Sequence, residues 1–180
     1  MKKKVLLLHG WGGSDNTHWQ SWLAGEIAKE YGCVNFLKFS DMDFPKLDVW
    51  MKELHVELES FKPDIVICHS LANTLWFHLC NNSVLSEIQK LYLVAPPSMH
   101  CNIEELQSFF PLHVPTNLYA KSTTLVTSTN DPYLTQNEAK ELQNSLHVEM
   151  QVLEDAGHIN ADSGFGEWTW ILQKIKKDMI

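Results

Sequence analysis

The 180-residue sequence contains no long hydrophobic run. Its composition is 44% apolar with 20% charged residues, as in ordinary globular proteins, and no apolar stretch approaches the roughly 20 residues that a membrane-spanning helix needs. Three lysines lead directly into VLLLHG, without the length or the small-residue cleavage site of a secretory signal. We expect a cytoplasmic protein without membrane contact and with one domain over residues 1–180, because this length supports one substantial core.

Features typical of nucleic-acid, phosphate and metal sites are also missing. The formal net charge is −8, and the lysines are scattered or gathered at the two termini, which argues against a nucleic-acid partner. A glycine-rich turn follows the first apolar run, but it lacks the Lys-Ser/Thr ending of a P-loop and the G-x-G-x-x-G spacing of a dinucleotide site. The histidines show no H-x-x-x-H or carboxylate-histidine grouping, so neither a metal nor another cofactor is expected.

The cysteines are too few and too scattered for a disulfide framework. Cys33, Cys68, Cys80 and Cys101 form no C-x-x-C pair, and the first three lie in apolar strand or helix patterns. We therefore expect buried reduced thiols rather than disulfides or metal ligands.

Short apolar runs alternate with stretches of helical period. The runs typical of strands are residues 4–9, 33–39, 64–69, 90–95, 123–128 and 148–153. Apolar residues at helical spacing follow them: Trp19, Trp22, Leu23 and Ile27; Trp50, Leu54, Leu58 and Phe61; Ala139, Leu142 and Leu146; Phe165, Trp168, Leu172 and Ile175. Strands that are almost wholly apolar indicate a sheet covered on both faces. The sequence therefore predicts an α/β fold, a doubly wound and mainly parallel sheet of about six strands with flanking helices.

Ser70 follows the apolar strand DIVICH and precedes the helical LANTLWFHLC. Ligands of such sheets bind at the carboxyl ends of the strands, where this serine lies. The G-x-S-x-G positions of a nucleophile elbow read Cys68-His69-Ser70-Leu71-Ala72 here, with small residues at the two positions where the turn needs them. Serine is also a favoured N-cap. The segment alone leaves two interpretations, a nucleophile or a helix cap.

A serine hydroxyl becomes a nucleophile when a base takes its proton and preplaced donors meet the oxyanion. DAGHIN follows the last strand and provides His158, and STNDPYLT follows the preceding strand and provides Asp131. Asp155 is a second candidate acid, but it would have to fold back along its own loop, so Asp131 is favoured. Individually such residues are common in surface loops and Asx-turns.

The first strand ends in LLLHGWGGSDNTHW, a flexible loop whose backbone N–H groups are able to approach an oxyanion. The expected donors are the amides of Trp11 in this loop and of Leu71, the residue after the nucleophile.

Four segments together, HGWGGSDNTHWQSWL, CHSLAN, STNDPY and AGHIN, resemble the small serine hydrolases related to retinoblastoma-binding protein 9. The resemblance spans nearly the whole chain and implies a single α/β-hydrolase domain without a large lid. It implies that Ser70 is the nucleophile, Asp131 the orienting acid and His158 the general base. Members usually carry glycine where this chain has Cys68, and often where it has Ala72.

The same resemblance implies that the protein is a serine hydrolase. It is expected to cleave a small ester, thioester or amide through an acyl-enzyme, with a small-molecule acyl substrate and no cofactor. Because the group includes proteins described through partner binding, the alternative is a catalytically weak or inactive hydrolase-fold module that binds another protein.

Two segments are expected to bound the substrate pocket. One is the loop with Trp11, and the other is the long irregular region 96–122, where residues 104–110 predict a short helix carrying Phe109 and Phe110. Without a cap domain little surface encloses a long chain, so acyl groups of roughly two to four carbons are expected. The side chain of His69 is expected to point away from the Ser70 hydroxyl and to be structural.

Overall fold

Six parallel strands form one sheet in the computed structural model, which describes residues 3–30 and 32–179. The strands are β1 (Lys4–Leu8), β2 (Cys33–Leu37), β3 (Ile65–His69), β4 (Ile88–Val94), β5 (Ala120–Ser128) and β6 (Glu149–Leu153). Their order across the sheet is β2-β1-β3-β4-β5-β6, and every neighbouring pair is parallel. The order reverses between β1 and β3, so the loops that follow these two strands meet at the switch point where such sheets bind ligands.

Helices cover both faces of this sheet. They are α1 (Trp19–Lys29), α2 (Leu47–Phe61), α3 (Leu71–Asn82), α4 (Gln136–Leu146) and α5 (Thr169–Asp178), with short 3₁₀ helices at Glu104–Phe109 and Ala161–Ser163. One core cluster joins α2, α3 and α4 to Leu6 and Leu8, and a second joins α1 and α5 to Val5 and Leu7. Because alternate residues of β1 enter opposite clusters, the apolar run VLLL is explained by burial on both faces. The doubly wound α/β prediction is confirmed.

Several boundaries differ from the sequence-based prediction. β5 begins at Ala120, three residues before the expected start, because its first residues pair with β4 from Ile88 onward. Phe165 and Trp168 precede α5, although their spacing suggested a place within it. Trp168 is the N-cap residue of α5. Its ring contacts Trp19 at a centroid distance of 5.0 Å, so the side chain is buried although the residue lies outside the helix.

The cysteine prediction is wrong in one respect. All four cysteines are free, and Cys68 and Cys80 are buried, but Cys33 is exposed and Cys101 is half-buried. Cys33 is the first residue of β2, which is an edge strand, and the start of an edge strand is poorly covered by neighbouring elements. Among the residues that the structure describes, no helix combines the length and the apolar character needed to cross a membrane.

Candidate active site

Ser70 lies in a strained turn between β3 and α3, with φ 54° and ψ −123°. A non-glycine residue with these angles costs about 1–3 kcal/mol and persists only where its surroundings hold it. The Ser70 N–H donates to the carbonyl of Val94 at 3.0 Å, and the buried Asn73 amide donates to the carbonyls of Ser70 and Val94 at 2.8 and 2.9 Å. The serine side chain makes no N-cap hydrogen bond. Ser70 is thus the N-cap residue of α3 by position, but its hydroxyl does not cap the helix.

The backbone of the loop after β1 touches this turn. A Cβ atom on Gly10 would stand 2.6 Å from the Cβ of Ser70 and 3.1 Å from its Oγ, so only glycine permits this approach. The next residue, Trp11, is anchored by its indole, which donates to the carbonyl of Asp43 at 2.9 Å. Leu71 is the first residue of α3, at a helix terminus where backbone N–H groups lack intrahelical acceptors. The loop and the helix start thus flank the serine.

A continuous chain of hydrogen bonds joins Ser70, His158 and Asp131. His158 Nε2 lies 2.8 Å from Ser70 Oγ, and His158 Nδ1 lies 2.9 and 3.0 Å from the two carboxylate oxygens of Asp131. The side chains of His158 and Asp131 are only 8% and 1% exposed. An ionised carboxylate only accepts, so Nδ1 carries the proton and Nε2 is free to accept the serine hydroxyl. His158 therefore joins the other two residues that were predicted from the sequence, Ser70 and Asp131.

Asp131, and not Asp155, is the carboxylate beside the histidine. Its Oδ1 also accepts the backbone N–H of Tyr133 at 2.9 Å, which fixes the carboxylate in the turn after β5. Tyr133 further packs its ring against that of His158 at a centroid distance of 4.6 Å. Asp155 is exposed, and its backbone N–H is bound by Thr129 Oγ1. This arrangement agrees with the expectation that the acid comes from the end of the neighbouring strand and not from the loop that carries His158.

Three other histidines, two of which line the cleft beside Ser70, are held neutral by burial. Burial is the main cause that lowers the pKa of His9, lowers that of His18 to about 4 and lowers that of His69 well below its ordinary value. His18 caps α1 by accepting the Gln20 N–H at its Nδ1, and His9 accepts the Phe39 N–H at its Nε2. His69 is turned away from the hydroxyl, and its Nε2 contacts the backbone carbonyl of His158 at 3.1 Å. Within residues 3–30 and 32–179, no group of His, Cys, Asp and Glu side chains is arranged to hold a metal ion.

A cleft of about 250 Å³ opens beside Ser70. Its walls come from the loop after β1, the turn at Ser70 and the segment after β6: Trp11, Gly12, Gly13, Ser14, Asp15, His18, His69, Ser70, His158, Asn160, Ala161 and Asp162. Trp11 was predicted for this wall from the sequence, whereas Asp15, Asn160 and Asp162 were not. Their signal was available, because they follow strands whose carboxyl ends meet at this edge.

Phe109 and Phe110 do not line this cleft, and that expectation is wrong. Phe109 is fully buried, and its ring contacts Trp50 of α2 at a centroid distance of 5.5 Å. Phe110 is half-buried against the same core cluster. The 3₁₀ helix that carries Phe109 thus covers the α2–α3 side of the sheet instead of the mouth of the site.

Comparison with known proteins gives the family. The serine hydrolase family model matches residues 5–177. The chain belongs to the serine hydrolase family. This serine hydrolase has the α/β-hydrolase fold, and it is similar to the ydeN gene product of B. subtilis at 18% identity, with 97% of each chain covered and a TM-score of 0.84.

Two further solved structures are similar to this serine hydrolase. A putative YdeN-like hydrolase from Pectobacterium atrosepticum shares 25% identity, with 97% of this chain and 89% of that chain covered and a TM-score of 0.74. Est1E from Butyrivibrio proteoclasticus shares 11% identity, with 99% and 87% covered and a TM-score of 0.68, which is a likeness of fold alone. No curated protein matches the chain.

Proposed function

We propose that this serine hydrolase cleaves a small ester, thioester or amide through an acyl-enzyme at Ser70. His158 acts as the general base and Asp131 as the acid that orients it. The observation that carries the proposal is the buried hydrogen-bond chain from Ser70 Oγ through His158 to Asp131. It lies at the carboxyl edge of the sheet, and Ser70 follows β3, one of the two strands between which the strand order reverses. The strained φ of Ser70 supports it, because strain of this kind concentrates at functional sites.

The geometry supports the following sequence of steps. His158 Nε2 takes the hydroxyl proton as Ser70 Oγ attacks the acyl carbon, and Asp131 stabilises the imidazolium that forms. The imidazolium gives the proton to the leaving oxygen, sulfur or nitrogen atom, which departs with the electrons of the cleaved bond. A water molecule then loses a proton to the same Nε2 and attacks the acyl carbon. The imidazolium returns that proton to Ser70 Oγ as the bond between Oγ and the acyl carbon breaks, which releases the acid and the free serine.

The backbone amides of Trp11 and Leu71 are the proposed oxyanion donors. The close approach of Gly10 to Ser70 supports a donor from the β1 loop, because it keeps this loop beside the serine hydroxyl. The Leu71 amide lies at the start of the 12-residue helix α3, whose N-terminal end carries partial positive charge. Donors fixed in this way stabilise charge that develops only in the transition state.

The cleft supports a small acyl substrate. Its volume of about 250 Å³ lies below the range of about 300–1,000 Å³ typical of pockets for drug-sized ligands. We also retain two finer inferences from the sequence: the relationship to the group of retinoblastoma-binding protein 9, supported by the four motifs, and a cytoplasmic location, which the four free cysteines favour. No nucleic acid or membrane takes part in the proposed reaction.

An active-site fluorophosphonate probe tests the proposal. Wild-type protein is expected to become labelled, and the Ser70→Ala variant is expected to remain unlabelled. Folding of the variant is checked by circular dichroism. The alternative, a hydrolase-fold module that only binds another protein, predicts that wild type and variant both stay unlabelled.

A further inference from the structure

The loop that carries His158 has an unusual backbone conformation. Positive φ angles occur at Asp155 (47°), Gly157 (54°) and Ile159 (50°), on both sides of the histidine. Glycine adopts such angles readily, whereas a β-branched residue such as isoleucine is an outlier there. The loop therefore depends on contacts from other elements to keep the conformation that presents the His158 ring.

Side chains from four segments supply those contacts by binding backbone groups of the loop. Three of these bonds flank the histidine: Ala156 N to Ser128 Oγ at 2.9 Å, Gly157 N to Asn130 Oδ1 at 2.7 Å, and Trp19 Nε1 to the Ile159 carbonyl at 2.8 Å. His158 itself is bound at both backbone groups. Its N–H donates to Ser163 Oγ at 3.1 Å, and its carbonyl lies 3.1 Å from His69 Nε2.

The contact from His69 differs from the others because His69 directly precedes Ser70. Its ring is enclosed by those of His18, Trp19 and His158, at centroid distances of 4.8, 5.8 and 5.3 Å. A carbonyl oxygen only accepts hydrogen bonds, so the proton of the neutral ring lies on Nε2. Burial keeps the pKa of His69 far below its ordinary value, and the ring stays in this neutral form.

We propose that His69 is a positioning residue for the base. Two hydrogen bonds from adjacent residues of one turn reach His158: Ser70 Oγ binds the ring, and His69 Nε2–H binds the backbone carbonyl. The second bond fixes the strained loop relative to the nucleophile and so maintains the 2.8 Å contact of the first. The inference rests on the proposed function, in which His158 is the base.

A matched pair of variants tests the role. In His69→Gln the side-chain amide nitrogen is as many bonds from Cβ as Nε2 of histidine, so a donor is retained. In His69→Met the side chain has similar length and bulk but has no donor. We expect His69→Met to lower kcat for a nitrophenyl ester by about 10- to 100-fold, with KM changed by less than about threefold, since misplacement by 1 Å is enough for such losses. His69→Gln is expected to restore most of that loss.

Two results would overturn the proposal: equal kcat values for the glutamine and methionine variants when both are folded, or a methionine variant that loses affinity in KM and not kcat. If His69→Met does not fold, His69→Asn takes its place, because its amide is chemically the same as that of glutamine but one methylene too short to reach the carbonyl. Thermal unfolding of each variant separates lost stability from lost turnover.

A measurement that is independent of turnover completes the test. Long-range ¹⁵N–¹H spectra of the histidine rings, with His69 assigned by its disappearance in His69→Gln, are expected to show the Nε2–H tautomer at neutral pH. An Nδ1–H tautomer would contradict the proposed hydrogen bond. If wild-type turnover does not depend on Ser70 and His158, the proposed function fails; if it does depend on them but the variant pair does not differ, only the positioning role fails.

Discussion

Replacing Asp131 with asparagine is expected to reverse the tautomer of His158. Asp131 Oδ1 accepts the Tyr133 N–H at 2.9 Å, so the amide oxygen of an asparagine is held in that position. The amide NH₂ then occupies the place of Oδ2, which lies 2.9 Å from His158 Nδ1. The amide oxygen stays 3.0 Å from Nδ1 but already accepts the Tyr133 N–H, whereas the NH₂ group donates from the nearer position. We therefore expect Nδ1 to accept and the imidazole proton to move to Nε2, where it faces Ser70 Oγ.

A histidine in this tautomer is unable to accept the serine proton. In serine proteases the equivalent change lowers kcat by about 10⁴-fold near neutral pH, and we expect a loss of about 10³- to 10⁴-fold for Asp131→Asn. The assay is steady-state hydrolysis of a short nitrophenyl ester. Asp155→Asn is the matched control, because this residue has the same chemistry but is exposed and has a positive φ that asparagine tolerates.

Two outcomes would refute the reasoning. A folded Asp131→Asn protein with activity within about tenfold of wild type would show that the carboxylate does not set the tautomer. A larger loss in Asp155→Asn than in Asp131→Asn would show that the structural contact is not the functional one. Unfolding curves for both variants exclude a simple loss of the turn after β5.

Four further predictions follow from the same geometry. His158→Ala is expected to lower ester hydrolysis by about 10³-fold or more with an unchanged circular dichroism spectrum, and unchanged hydrolysis would remove the histidine from the mechanism. Gly10→Ala places a Cβ 2.6 Å from that of Ser70, so fluorophosphonate labelling is expected to slow strongly, whereas labelling at the wild-type rate would mean that the loop is able to move away. Across a nitrophenyl ester series, kcat/KM is expected to be greatest at about two to four acyl carbons, whereas a steady rise through eight would indicate use of the 390 Å³ cavity behind residues 12–15. Because burial lowers the pKa of His18 from 6.5 to about 4, the folded state binds fewer protons than the unfolded chain between these pH values, and the free energy of unfolding is expected to decrease by about 3 kcal/mol as pH falls from above 6.5 to 4. Urea unfolding of wild type and of His18→Asn, which retains an N-cap acceptor, measures this contribution. An identical pH dependence in the two proteins would contradict it.

Residues that follow strands were predictable because strand position determines where they lie. Ser70, Asp131 and His158 come after β3, β5 and β6, and parallel strands bring their carboxyl ends to one edge. Short runs in which nearly every residue is apolar strongly indicate strands that are buried on both faces, which explains why the sheet was predicted correctly. For the sheet and the residues that follow its strands, the local sequence pattern was therefore enough to predict the position in the fold.

Positions that depend on long-range packing were not predictable in the same way. Phe109 was expected at the cleft because it is apolar and lies in a loop region, but a loop phenylalanine packs wherever space exists, here beneath α2. Cys33 has a strand-like neighbourhood, yet its exposure depends on β2 being an edge strand, which the sequence does not specify. The contact between His69 and the His158 carbonyl joins residues 89 positions apart and leaves no local pattern.

The altered elbow motif shows which property of its glycines this fold requires. Among the non-glycine residues with positive φ, Ser70 is present but Cys68 and Ala72 are not, because Cys68 lies within β3 and Ala72 lies in α3. These two positions therefore need no left-handed backbone, and their constraint is volume. Both are fully buried, and Cys68 is paired directly with Leu8 of β1 and Leu93 of β4. Cysteine and alanine are small enough for helix and strand to meet there, so the turn at Ser70 forms without the glycines that usually flank it.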